Sequence, residues 1–195
     1  MSIDQLPPFI RTNYEVLESK HACAILAADF PNEFLDLCAV LEEFRLRKEW
    51  ITLGGGNKSK VSTAIDSALY SRGWQEKNFD TYIKIDETEL ASPTHSIDCF
   101  KNRVALEIEW NNKDPFFDRD LNNFRLLFDL RVVSVGVIIT RCDELQKVFN
   151  SLGRGTSYGA STTHMSKLIP RIQGGGGGGC PLLVFGISSA LYVEN

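Results

Sequence analysis

The stretch Ile97-Asp98-Cys99-Phe100-Lys101-Asn102-Arg103-Val104-Ala105-Leu106-Glu107-Ile108-Glu109-Trp110 reads as two short strands joined by a tight turn. Asn102-Arg103 is a two-residue loop, with Asn at a position where a type I′ turn tolerates positive φ. That turn fixes the register and sets Asp98 opposite Glu107, a pairing in which Cβ atoms lie about 4.5–5.5 Å apart. Side chains alternate along a strand, so Glu109 shares the face of Glu107, while Val104, Leu106, Ile108 and Trp110 point into a core. Cys99, beside Asp98, faces away from the acids. Three acids on one face repel one another unless a cation or a shared proton neutralises them. Carboxylates and water are hard oxygen ligands of the kind Mg²⁺ takes. Spacing alone leaves two readings open, a metal site and a half-exposed strand whose acids are solvated.

Around this hairpin, helical and strand patterns alternate. Asn32 is placed to cap a helix whose stripe is Phe34, Leu37, Cys38, Leu41 and Phe44. Val61, Ala64, Ile65, Ala68 and Leu69 have the same spacing, with Gly73 as a stop. Residues 74–85 suggest a strand leading to the hairpin. Asp114-Pro115 then reads as N-cap and first residue of a helix carrying Phe117, Leu121, Phe124 and Phe128. Residues 132–140 are apolar and β-branched enough for a buried strand. A short helix over 161–169 halted at Pro170 and a strand over 182–187 complete the pattern. The alternation predicts an α/β protein with a central mixed β-sheet flanked by helices.

At 195 residues the chain is expected to form one domain, residues 1–195. It has no apolar run long enough to span a membrane, and its start, Met-Ser-Ile-Asp-Gln-Leu-Pro-Pro, lacks the regions of a signal peptide, so a cytoplasmic location is expected. Cys23, Cys38, Cys99, Cys142 and Cys180 are odd in number and widely spaced, which indicates neither a disulfide framework nor a zinc site. The net charge of −4 argues against indiscriminate DNA binding. Its distribution is uneven. Arg45, Arg47, Lys48, Lys58 and Lys60 cluster with the single acid Glu49, and residues 151–188 hold Arg154, Lys167 and Arg171 with no acid. Such segments are either solvated faces or phosphate-binding surfaces.

Gly54-Gly55-Gly56-Asn57-Lys58-Ser59 lacks the glycine a phosphate loop needs before its lysine, which excludes an NTPase. Asn57, Lys58 and Ser59 can still meet DNA phosphates at the start of the following helix. The run from Gly174 to Gly179 reads as a mobile surface loop. Residues 153–164, Gly-Arg-Gly-Thr-Ser-Tyr-Gly-Ala-Ser-Thr-Thr-His, concentrate donors and acceptors on a small-residue backbone that can approach a DNA groove. Arg154 suits a bidentate contact to guanine, and Ser157, Thr162, Thr163, His164 and Lys167 are further candidates for DNA contacts. The competing reading for Ser161 and Thr162 is a capping or loop role.

An Asp nine residues before the Glu of a Glu-x-Glu pair, with Lys-Asn-Arg-Val-Ala-Leu between them, resembles the PD-(D/E)XK nuclease superfamily, and within it the BglII/BstYI group of type II restriction endonucleases. Gly153 to Ser157 and Pro181-Leu182-Leu183-Val184-Phe185-Gly186-Ile187 extend the resemblance, which runs from about Lys58 to the end. It implies that Asp98 and Glu107 coordinate Mg²⁺ with the main-chain carbonyl of Ile108. Glu109 stands where the superfamily usually has lysine, so it would orient or deprotonate the attacking water, or help hold a second ion. The resemblance further implies double-stranded DNA as substrate, a short palindromic site with a GATC core, 5′ overhangs, a homodimer and a cognate DNA methyltransferase. Other readings are a nicking or repair nuclease of the same fold, or an inactive DNA-binding module.

Overall fold

The hairpin forms as read, because Asn102 and Arg103 have φ of 43° and 70°, the two left-handed conformations of a type I′ turn. The computed structural model describes residues 2–53, 58–92 and 94–194. In chain order the helices are α1 (Pro8–Asn13), α2 (Ala22–Asp29), α3 (Pro31–Glu43), α4 (Lys48–Thr52), α5 (Lys60–Tyr70), α6 (Phe116–Asp129), α7 (Leu145–Ser151) and α8 (Met165–Gln173). The strands are β1 (Tyr14–Ser19), β2 (Leu46–Arg47), β3 (Gln75–Lys77), β4 (Thr81–Ile85), β5 (Thr88–Ser92), β6 (Ile97–Lys101), β7 (Val104–Ile108), β8 (Val135–Arg141), β9 (Leu182–Ile187) and β10 (Tyr192–Val193).

Six strands make one mixed sheet in the order β1-β9-β8-β7-β6-β3. β7, β8 and β9 run parallel, whereas β1, β6 and β3 are antiparallel to their neighbours. Every residue of the three parallel strands is buried, so they read as near-continuous apolar runs. One face of the sheet sets Val104, Leu106, Val137 and Phe185 against Leu26, Leu37, Leu41 and Ile65 of α2, α3 and α5. The other sets Ala105, Ile138 and Val184 against Phe117, Leu121 and Phe124 of α6 and Leu168 of α8. Each such side chain contributes about 1.5–3 kcal/mol when buried, a surplus against which a few buried acids can be tolerated. The α6 layer lies very close to the sheet. A Cβ on Gly136 of β8 would come within 2.7 Å of Phe124 Cδ2, so a larger residue there would push α6 away.

Several boundaries differ from the sequence reading. α3 starts at Pro31 and is capped at Phe30, not Asn32, since proline's fixed φ suits a first helical residue. At α6 the proline is one position earlier than expected, with Pro115 as N-cap. The strand expected over 74–85 is divided into β3 and a separate β4–β5 hairpin, with Asp86 at the turn at φ 53°. α8 begins later, at Met165, and continues through Pro170. Proline removes one N–H and so one helical bond, yet the turn beyond it closes, with Gly174 N–H donating to Pro170 O at 2.8 Å. The glycine run after α8, expected as a mobile loop, is a series of turns packed on α6. Gly178 has φ 56°, and a Cβ there would lie 2.4 Å from Arg125 Cγ. All five cysteines are buried and unpaired, and among the described residues no helix is long and apolar enough to cross a membrane.

Candidate active site

The β6–β7 ladder pairs Lys101 with Val104, Phe100 with Ala105 and Cys99 with Leu106. Asp98 and Glu107 come next in this register, and here side chains take over from the ladder. Asp98 N–H donates to Glu107 Oε2 at 3.3 Å, and Ile108 N–H donates to Asp98 Oδ2 at 2.9 Å. The β3–β6 register shifts by one at the same place, and Ile97 packs on the α6 side while Cys99 packs on the α5 side. β6 is therefore bulged around Asp98, a device that re-aims a side chain and ends pairing. Asp98 lines a cleft of about 250 Å³ with Lys58, Ser59, Ser62, Ile108, Glu109, Trp110, Asn112 and Arg119.

Glu107 and Glu109 are only 1% and 2% exposed on the α6 side of β7, facing Asp120, which is 0% exposed. His95 Nε2 lies 3.2 Å from Glu107 Oε1 and 3.1 Å from Asp120 Oδ1. Arg119 donates from Nε and Nη2 to Asp120 Oδ1 at 3.1 and 3.0 Å, and its guanidinium stacks 4.3 Å from the Phe116 ring centroid. Glu109 accepts from Asn112 Nδ2 at 2.8 Å and from Arg119 Nη2 at 3.5 Å. On the other side of Asp98, Lys58 forms an ion pair with buried Asp66, whose Oδ1 accepts from Cys99 Sγ at 3.3 Å.

Burial raises the carboxyls of Asp98, Glu107 and Glu109 above their ordinary values. Asp120 pushes both glutamates further, while His95 offsets part of the shift at Glu107 and Asn112 part of that at Glu109. For His95 burial works against the charged ring, but Asp120 and Glu107 outweigh it and raise it to about 9. Lys58 follows the same logic, with Asp66 and Asp98 prevailing over burial. Among the described residues, the basic groups set against Asp66, Asp98, Glu107, Glu109 and Asp120 are Lys58, His95 and Arg119, so acids outnumber bases in the cluster. Asp120 is also hydrogen-bonded to the Glu109 carboxyl, one of the causes that raise it.

Sequence reasoning reached Asp98, Glu107 and Glu109 but missed His95, Asp120, Arg119, Asn112 and Asp66. Two of these carried a signal. Asp120 falls among Phe117, Leu121 and Phe124 on the apolar stripe of α6, and Asp66 among Ile65 and Leu69 on that of α5. An acid on a buried stripe is an anomaly that asks for a partner.

The candidates for DNA contact divide into two groups. Lys58 and Ser59 border the cleft, and Ser59 caps α5 by accepting from Ser62 N–H at 2.9 Å; Asn57 lies outside the described residues. Ser157 is exposed, and Arg154 has its Nε buried without a partner. Thr162, Thr163 and His164, by contrast, are engaged within the protein. Thr162 Oγ1 accepts from Arg141 at 2.9 Å and donates to Gly159 O at 2.8 Å. Thr163 is 0% exposed; its hydroxyl donates to Glu109 O at 3.1 Å and accepts from Asn112 N–H at 3.2 Å. His164 is buried, with Nδ1 3.1 Å from Thr162 O. The acid-free segment after Ser151 is also less basic in space than in sequence. Lys167 lies 3.7 Å from Asp114, and Arg171 donates to Asp118 at 2.8 Å.

A search of the curated proteins gives no significant match. The family model described as restriction endonuclease BglII/BglIII matches residues 14–187, from the first strand of the sheet to the last residue of β9. That span contains the hairpin, its acids and the helices that close over them, and the chain belongs to the BglII/BglIII restriction endonuclease family.

Proposed function

We propose that the chain is a type II restriction endonuclease of the PD-(D/E)XK superfamily, with residues 1–195 as one nuclease domain, hydrolysing double-stranded DNA at a short palindromic site with Mg²⁺. The observation that carries this reading is the bulge that sets the Asp98 N–H on the Glu107 carboxylate and the Asp98 carboxylate on Ile108 N–H, beside a cleft that Asp98, Ile108 and Glu109 line. The residues fit a divalent cation. The cluster has more buried carboxylates than basic groups, and its acids are hard oxygen donors. Asp98, Glu107 and the carbonyl of Ile108 would hold Mg²⁺, which supplies an activated water and neutralises charge developing on the phosphate.

The remaining roles belong to the protein's own groups. Glu109, oriented by Asn112, directs or deprotonates the attacking water in place of the superfamily's usual lysine. Lys58, Ser59 and the N–H groups opening α5 hold backbone phosphate at the cleft. Arg154, Ser157 and Lys167 contact DNA, whereas Thr162, Thr163 and His164 support that segment from within. Each active site cuts one strand, so two-fold symmetric DNA calls for a homodimer. The family reading adds cleavage that leaves 5′ overhangs, and a companion methyltransferase in the same cytoplasm.

Asp98→Ala or Glu107→Ala is expected to abolish cleavage in Mg²⁺ while DNA binding in Ca²⁺ persists, because each removes a metal ligand. Digestion of DNA of known sequence followed by end sequencing reads cleavage and overhang together. Near wild-type cutting by either variant would overturn the assignment.

A further inference from the structure

We propose that His95 Nε2, Glu107 Oε1 and Asp120 Oδ1 form a second metal site, selective for a divalent transition ion such as Zn²⁺ and sharing Glu107 with the Mg²⁺ site. The inference goes beyond the nuclease reading and holds whether or not Asp98 binds Mg²⁺. Three separate elements supply the ligands. His95 comes from the segment between β5 and β6, Glu107 from β7 and Asp120 from α6.

Two of the three spacings are those of ligands around one ion. Two ligand atoms each about 2.0–2.2 Å from zinc, at angles between square and tetrahedral, lie about 2.9–3.5 Å apart. The imidazole nitrogen is 3.2 Å from the Glu107 oxygen and 3.1 Å from the Asp120 oxygen, and the three candidate ligand atoms lie within 4.8 Å of one another. The donor set also separates this site from the first. An imidazole suits zinc and its neighbours and is a poor ligand for Mg²⁺. Three protein ligands with a position to spare is the usual arrangement of an open zinc site.

Two further observations bear on the site. Asp120 is fully buried beside Glu109, to whose carboxyl it hydrogen-bonds and which it raises, so a cation on Asp120 Oδ1 would offset charge that these buried acids otherwise share. Glu107 divides its oxygens, Oε1 facing His95 and Oε2 accepting from Asp98 N–H, so the two sites use different atoms of one carboxylate. Arg119 Nη2, 3.0 Å from Asp120 Oδ1, supplies part of the balancing charge but no ligand. Asn123 Nδ2, donating to His95 O at 3.3 Å, fixes the backbone that carries the imidazole.

The test uses the full chain, stripped of metal and without DNA, titrated with Co²⁺ as an optical stand-in for Zn²⁺. Visible ligand-field bands are expected to grow to one equivalent and to bleach on adding Zn²⁺. His95→Gln and Asp120→Asn should weaken Co²⁺ binding at least about 10-fold, and Asp98→Asn should leave the bands in place. Because a buried variant can misfold, the unsubstituted chain gives a second reading by imidazole NMR. Of His21, His95 and His164, only His95 should shift with Zn²⁺, and the shift should survive His21→Gln and His164→Gln. Absence of Co²⁺ bands, bands that survive His95→Gln, or a Zn²⁺ shift at another histidine would overturn the proposal. Failure of Mg²⁺-dependent cleavage with the Co²⁺ bands intact would sink the nuclease reading alone.

Discussion

Thr163→Val removes one hydroxyl and keeps the shape of the side chain, which makes it a clean probe of what this residue does. In the sequence Thr163 looks like a DNA contact; in the fold its hydroxyl links the Glu109 carbonyl to the Asn112 N–H. The carbonyl keeps a second donor, Thr140 Oγ1 at 2.9 Å, so its loss is small. Asn112 N–H is left without the acceptor it had. An orphaned buried donor costs about 1–3 kcal/mol, and Asn112 is only half-buried, which places the cost near about 1–2 kcal/mol. For a chain of this size that lowers the melting temperature by about 2–8 °C. Asn112 also holds Glu109 through its side chain, so cleavage should slow while affinity for DNA in Ca²⁺ and base preference stay as they were. Calorimetric melting, single-turnover cleavage and competition against single-base variants of the site measure the three quantities. An unchanged melting temperature together with altered base preference would refute this reasoning and make Thr163 a base reader.

Glu109→Lys should lose most cleavage activity, because the group proposed to handle a proton beside the metal becomes a cation; a variant that cuts like the parent would show that Glu109 has no such role. Arg154→Ala should cost about 1–3 kcal/mol in binding and relax discrimination at one base pair per half-site, whereas Lys58→Ala should weaken all sequences alike and flatten the salt dependence by about one ion. Binding to single-base variants at two salt concentrations separates these outcomes. Asp143 accepts from the Ser166 hydroxyl and N–H at 2.6 and 3.0 Å at the start of α8; burial raises its carboxyl, but those bonds, with His164 and Arg141, hold it below the ordinary aspartate value. Its contribution is thus complete above the unfolded value near 3.9 and lost as pH falls through the lower folded one. Melting of Asp143→Ala should trail the parent by about 1 kcal/mol at pH 6 and converge with it toward pH 2.

The centre of the fold was legible because its determinants are local. Asn102-Arg103 dictates its own turn, and alternation in Val104–Ile108 then decides which acids share a face. The apolar stripes of α3, α5 and α6 follow from spacing in the same way. What the sequence hid depends on contacts between distant segments. His95 sits in an irregular stretch with no pattern to mark it. Lys167 and Arg171 look unneutralised in sequence because Asp114 and Asp118 lie some fifty residues away. β1 was missed because its place is set by pairing with β9 at the other end of the chain. Asp66 and Asp120 stood in plain view on apolar stripes, and only a rule that treats such acids as anomalies would have found them.

The bulge at Asp98 divides the proposed metal site between two mechanical supports. Glu107 stands on β7, inside the sheet and buried on both faces, so its position is as durable as the whole fold. Asp98 stands on β6, whose outer neighbour is the three-residue edge strand β3. Such an edge opens at far lower free energy than the interior of a sheet. Warming or mild denaturant therefore loosens the Asp98 wall while the Glu107 wall is still rigid, and the distance between the two carboxylates is governed by the weakest strand in the sheet.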